Sequence, residues 1–219
     1  MVGESDASRI DVSPMATVCG ALNMTSVSSL PLALALVGLL IGTGPASAAD
    51  VSAGKATAET CAGCHGADGI SQMPLTPSLA GQSDEFVQWQ LVYFRSGTRK
   101  SEVMGPIADA LTNEEIRNLG AYYASLPPPK PQPAADALAQ AGEKLARRHR
   151  CASCHADDYA GFRAAARLAG QREDVLLKAL HDFKSGTRVG SGVASMSDVV
   201  YELNDADMQA LAHYMAARP

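Results

Sequence analysis

From Asp50 onward, the 219-residue chain has no cysteine outside two short clusters, Cys61 with Cys64 and Cys151 with Cys154. None is left for a long-range disulfide, so such bridges are excluded as the source of stability. Convincing apolar/polar alternation is also missing, which argues against a β-sheet. Basic charge is in short supply: 18 lysines and arginines stand against 23 acidic residues, and nothing supports nucleic-acid binding. Histidine is scarce as well, with His65 the only one before His149. The apolar run LPLALALVGLLI, Leu30 to Ile41, is too short to cross a bilayer comfortably.

That run leads into GTGPASAAD, where Ala46, Ser47 and Ala48 form an A-x-A cleavage signal. Residues 1–49 therefore read as an export signal removed near Ala48 or Ala49, which implies a periplasmic protein. Arg9 is the only basic residue ahead of the run; a start at Met24 and an uncleaved anchor are the alternatives. Cys19 lies on the wrong side of the run for a lipidated cysteine and is discarded with the signal.

The remainder of the chain is a duplication. GKATAETCAGCH from Gly54 parallels GEKLARRHRCASCH from Gly142, and LAGQ occurs at Leu79 to Gln82 and again at Leu168 to Gln171. YFRSGTR, ending at Arg99, matches DFKSGTR, ending at Arg188, and LTNEEIRNLGAYYASL from Leu111 matches LNDADMQALAHYMAAR from Leu203. The offset stays between 88 and 92, as expected for a whole duplicated domain. The expected organisation is one domain over 50–126, a second over 136–219, and a linker over 127–135 whose prolines favour an extended, semi-rigid spacer.

Each copy reads as short helices joined by long loops. Thr112 and Glu115 form a capping box, after which Ile116, Leu119, Gly120 and Tyr123 fall on one helical face. Asn204 caps the second copy, where Met208, Leu211, Ala212 and Met215 repeat the stripe. Residues 83–95 and 172–184 carry acidic first turns and Ser-Gly stops. The fold is expected to be all-α. Two domains of about eighty residues with glycine-rich and proline-rich loops are marginal on apolar burial alone, so something else should complete the core.

The cysteine clusters supply it. In C-x-x-C-H, one helical turn places both thiols along a porphyrin edge, where they add to vinyl groups as thioethers, and the next residue offers an imidazole to the iron. The motif occurs as Cys61, Cys64, His65 and as Cys151, Cys154, His155. A thioredoxin-type dithiol expects a βαβ setting that is absent. A four-cysteine zinc site expects its pairs roughly 15 to 20 residues apart, whereas 86 residues separate Cys64 from Cys151. Two covalent haem c groups are the expected cofactors.

For the sixth ligand, repeat register picks out Met104, 39 residues after His65, and Met196, 41 after His155. Both are expected in the loop between the SGTR turn and the last helix. Met73 competes in the first copy but has no counterpart near Phe162. His149, His181 and His213 have no histidine counterparts in the first copy, so they are read as ordinary surface or core residues. Thioether ligation favours ferrous iron and raises the potential.

With both CxxCH motifs, the repeated LAGQ, the SGTR turn and a methionine before the last helix, the sequence resembles the dihaem cytochrome c4 family of exported electron carriers. The resemblance covers 50–219 and implies two class I cytochrome c domains with haems facing each other at the domain interface. It further implies that the Pro77 carbonyl orients His65, with Ala166 replacing proline in the second copy, and that Arg99 and Arg188 pair with haem propionates. Ala156 stands where the first motif is followed by glycine. Trp89 is expected in the core, and the run Arg147 to Arg150 on a solvated face. Asp50 to Pro129 holds 9 acidic and 5 basic residues and Lys130 to Pro219 holds 11 and 12, an asymmetry suited to two different partners.

The expected function is a periplasmic electron carrier, not an enzyme. It would take single electrons from a membrane cytochrome complex or dehydrogenase and deliver them to a terminal oxidase or reductase, with no small-molecule substrate. The rivals are a cytochrome subunit of a flavin-dependent sulfide dehydrogenase or an alcohol dehydrogenase, and a haem enzyme such as a peroxidase or a thiosulfate-oxidising cytochrome.

Overall fold

The computed structural model describes residues 48–189 and 194–219; the export segment expected over 1–49 lies almost wholly outside the described residues. The described chain is helical, and its one β pairing is an isolated bridge between Phe162 and Ala165. The first repeat contains α1 (Val51–Ala58), α2 (Ala62–His65), α3 (Asp84–Arg95), α4 (Met104–Asp109) and α5 (Asn113–Ser125). The second contains α6 (Asp136–Arg148), α7 (Ala152–His155), α8 (Glu173–Lys184), α9 (Ala194–Tyr201) and α10 (Asp205–Ala216). In each, the first helix packs on the last, which also meets the middle helix.

Capping fixes where the last helices start. Thr112 Oγ1 accepts from the Glu115 N–H at 3.2 Å while Glu115 Oε2 accepts from the Thr112 N–H at 2.8 Å. Asn204 and Asp207 repeat the exchange at 2.9 and 3.2 Å. Each such cap stabilises its helix by about 1 kcal/mol. Beyond the caps, Ile116, Leu119 and Tyr123 are buried on one face of α5, as are Met208, Leu211 and Met215 on α10.

Two glycines let the terminal helices cross at backbone distance. A Cβ on Gly54 would lie 2.0 Å from the Asn118 carbonyl oxygen, and one on Gly142 would lie 2.1 Å from that of Ala210. These contacts explain why glycine stands at the equivalent place in both first helices.

Residues 127–135 carry no regular secondary structure and are strapped down rather than free. Gln132 N–H donates to the Ala216 carbonyl at 2.9 Å, and Ala135 N–H donates to His213 Nε2 at 2.9 Å. His213 Nδ1 in turn meets Glu173 Oε2 at 2.9 Å, so this buried histidine ties linker, α8 and α10 together. Trp89 departs from expectation. It is 46% exposed and stacks on Tyr93, because α3 turns Val87 and Leu91 inward instead.

Candidate haem sites

Each CxxCH motif occupies one helical turn. His65 N–H donates to the Cys61 carbonyl at 3.0 Å, and His155 N–H to that of Cys151 at 3.1 Å. The first cysteine of each pair is partly buried, the second is exposed, and none of the four forms a disulfide. After the first histidine the chain turns through Gly66 at φ +85°, and after the second through Ala156 at φ +68°. Ala156 combines this φ with ψ +162°, a conformation populated almost only by glycine and costing a side chain about 1 to 3 kcal/mol, so the second motif carries a local strain that the first avoids.

Both imidazoles are oriented by backbone. His65 Nδ1 donates to the Pro77 carbonyl at 2.8 Å, and His155 Nδ1 donates to the Ala166 carbonyl at 2.8 Å. The carbonyl is reached twelve residues on in the first repeat and eleven in the second. Burial holds both histidines below their ordinary pKa against the opposing pull of these bonds, which favours neutral rings. With Nδ1 occupied, Nε2 is the nitrogen left for a metal.

Met104 and Met196 were expected in a loop but lie in the first turns of α4 and α9. Ser101 promotes the earlier start of α4: its Oγ accepts from the Met104 N–H at 3.0 Å, and its carbonyl accepts from the Gly105 N–H at 3.0 Å. Pro106 is tolerated there because first-turn amides need no helical acceptor. Met196 packs at the edge of the second core, which also includes Cys151 at its margin. Met73 is exposed in the loop ahead of Pro77.

Arg99 and Arg188 come together from different repeats. Arg99 Nη1 donates to Gln90 Oε1 at 2.7 Å and Arg188 Nη2 donates to the same oxygen at 3.0 Å. Each guanidinium also lies 4.5 Å from a ring centroid, Phe94 for Arg99 and Phe183 for Arg188. Burial depresses Arg99 to about 10. Burial, reinforced by the charge of Arg99, depresses Arg188 to about 9. Two cations sharing one neutral oxygen, with a buried Arg188 Nε lacking a hydrogen-bond partner, make a place that favours carboxylates. Haem carries two propionates, so the residues present fit it. Gln90 was not evident from sequence, because its counterpart Ala179 breaks the repeat.

The cytochrome c family model matches residues 51–127 and 139–218. The chain is 31% identical over 196 residues to cytochrome c4 of Pseudomonas aeruginosa, covering 85% of this chain and 95% of that one. The chain belongs to the cytochrome c4 family. The crystal structure of reduced recombinant cytochrome c4 from Pseudomonas stutzeri superposes with a TM-score of 0.73 at 31% identity, covering 78% of this chain and all of that one (100%). A thiosulfate dehydrogenase electron acceptor of Thiomonas intermedia is 34% identical over 203 residues, covering 86% of this chain and 90% of that one. This cytochrome is therefore a dihaem electron-transfer protein with two covalently bound haem c groups, one for each CxxCH motif.

Proposed function

We propose that this cytochrome is an exported carrier, with 1–49 as its leader, haem domains at 50–126 and 136–219, and 127–135 as the strap between them. Cys61 with Cys64 and Cys151 with Cys154 hold the haems. His65 with Met104 and His155 with Met196 would supply the iron ligands. Pro77 and Ala166 orient the histidines. Arg99 and Arg188 would hold haem propionates at the domain interface. The observation that carries this reading is the pair of imidazoles, each with Nδ1 fixed 2.8 Å from a carbonyl.

The haems supply one-electron couples. The protein keeps each imidazole neutral and oriented, offers a thioether as second ligand, and balances propionate charge with guanidinium. With a histidine and a methionine assigned to each iron, no ligand position would be left for peroxide or another substrate. The donor is a membrane cytochrome complex or dehydrogenase, and the acceptor a terminal oxidase or reductase. The similarity to a thiosulfate dehydrogenase electron acceptor favours a second reading, in which that enzyme is the donor. Reduction by purified thiosulfate dehydrogenase, at a rate unmatched by a quinol-oxidising membrane fraction, selects it.

Met104→His and Met196→His test the ligand set. Imidazole donates more strongly than thioether to ferric iron, so each substitution should lower the potential of one haem, largely spare the other, and remove half of the ferric iron–sulfur absorption band. Unchanged potentials and an unchanged band would remove that methionine from the site.

A further inference from the structure

Each LAGQ glutamine reaches into the opposite domain. Gln171 Oε1 accepts from the Ser78 N–H at 2.9 Å, and its Nε2 donates to the Ser78 carbonyl at 2.8 Å. The mirror pair joins Gln82 Oε1 to the Arg167 N–H at 2.9 Å and Gln82 Nε2 to the Arg167 carbonyl at 3.0 Å. Both glutamines are buried.

Ser78 directly follows Pro77, and Arg167 directly follows Ala166. The N–H taken by Gln171 therefore belongs to the same peptide unit whose carbonyl receives His65 Nδ1. Gln82 holds the corresponding unit for His155. Peptide N–H and C=O are conjugated, so an acceptor on one end increases electron density at the other.

We propose that Gln171 is a positioning residue for His65 and Gln82 for His155, so that the proximal ligand of each haem is set by a side chain of the opposite domain. The proposal rests on the reading of His65 and His155 as iron ligands. A peptide polarised by glutamine is a stronger acceptor for the Nδ1 proton, and the imidazole then donates more strongly to iron and favours the ferric state. Releasing the glutamine should favour the ferrous state. By linkage, oxidation of one haem should tighten the clamp that the other domain holds on it. An interface adhesive would behave differently: loosening it disturbs both haems alike, or acts first on the domain that lost its side chain.

The experiment uses the full holoprotein with Gln171→Leu and Gln82→Leu. The potential of each haem is followed by spectroelectrochemical titration and assigned in the Met104→His background. The Nδ1 proton of each ligand histidine is followed by nitrogen-edited NMR of the reduced state. At a fixed ambient potential, Gln171→Leu should raise the reduced-to-oxidised ratio of the first-domain haem roughly two- to threefold while largely sparing the second. Gln82→Leu should do the reverse. The His65 Nδ1 proton should move upfield in Gln171→Leu and stay in place in Gln82→Leu.

If the leucine variants fail to fold, Gln171→Asn and Gln82→Asn, one methylene too short for both contacts, carry the same expectations. Equal shifts of both haems, a larger shift in the domain that bears the substitution, or an unmoved Nδ1 proton would overturn the proposal. The ligand reading is checked first in the unsubstituted protein: histidine ring protons without haem ring-current shifts would sink that reading independently.

Discussion

The two domains fill the same space beside the haem motif from opposite directions. In the first, Tyr123 of the last helix is buried at 3% exposure, and a Cβ on Gly69 would come within 3.2 Å of its ring. In the second, the loop residue equivalent to Gly69 is Tyr159, buried at 5%, and the helix position equivalent to Tyr123 is Met215. Gly69 and Tyr159 share a left-handed backbone, at φ +75° and +56°. Each carbonyl accepts from two N–H groups of the LAGQ turn, at 2.7 and 3.1 Å for Gly69 and at 2.9 and 3.1 Å for Tyr159. Backbone geometry is therefore common to both copies, whereas the source of the ring is exchangeable.

The largest expected effect comes from breaking that exchange on one side only. Tyr159→Gly removes a buried ring at a cost of about 3 to 5 kcal/mol, reduced by about 1 kcal/mol as the left-handed strain is relieved. Denaturant unfolding should show a net loss near ~3 kcal/mol. Adding Met215→Tyr rebuilds the arrangement of the first domain and should recover about half of that loss. Strictly additive effects in the double-mutant cycle would show that the two positions do not share a cavity.

The loops that orient the histidines sharpen the comparison at lower energy. Proline stiffens the first. The second is one residue shorter and is stiffened by paired backbone bonds between Phe162 and Ala165, 3.2 and 3.0 Å long, with Arg163 at φ +52°. Both deliver a carbonyl to the same distance. Pro77→Ala should therefore leave the first-domain potential and the His65 Nδ1 resonance nearly unchanged. Its cost should be about 0.5 to 1 kcal/mol, chiefly through greater freedom of the unfolded chain. A potential shift as large as that of a ligand substitution would mean that the ring of Pro77, and not only its carbonyl, holds the histidine in place.

The helices, their caps and the inward stripes were legible because they repeat at helical spacing over one or two turns, as with Thr112, Glu115, Ile116 and Leu119. The CxxCH histidines were legible for the same local reason. What escaped depends on contacts between residues far apart in the chain. LAGQ was visible twice, but nothing local says that Gln171 grips Ser78 or that Gln82 grips Arg167. Arg99 and Arg188 stood out singly, whereas their meeting at Gln90 requires both domains. Trp89 was misplaced because aromatic bulk suggests burial, while the phase of α3 is set by Val87 and Leu91. The helical setting of Met104 was missed because α4 begins without the reciprocal capping pair seen at Thr112 and Asn204.

The smallest predicted effect concerns the unsymmetrical part of the interface. Asp174 Oδ2 accepts from the Leu75 N–H across the domains at 2.9 Å and pairs with Arg172 at 2.9 Å. Arg172 also donates to the Ser71 carbonyl at 3.4 Å. Partial burial pushes the Asp174 carboxyl pKa up, but the bonds from Arg172, Leu75 and Val175 outweigh it and hold the group below the usual carboxylate range. A pKa lowered by folding means that the native state binds this proton less readily than the unfolded chain. The stabilisation is complete above the unfolded value and fades as pH falls through the lower folded one. The protein should therefore lose up to about 0.5 kcal/mol from this contact below roughly pH 4. Asp174→Asn keeps an acceptor for Leu75 but cannot titrate, so its acid-side stability curve should be shallower than that of the unsubstituted protein by about this amount. Superimposable curves between pH 2 and 6 would show that the contact contributes no pH dependence.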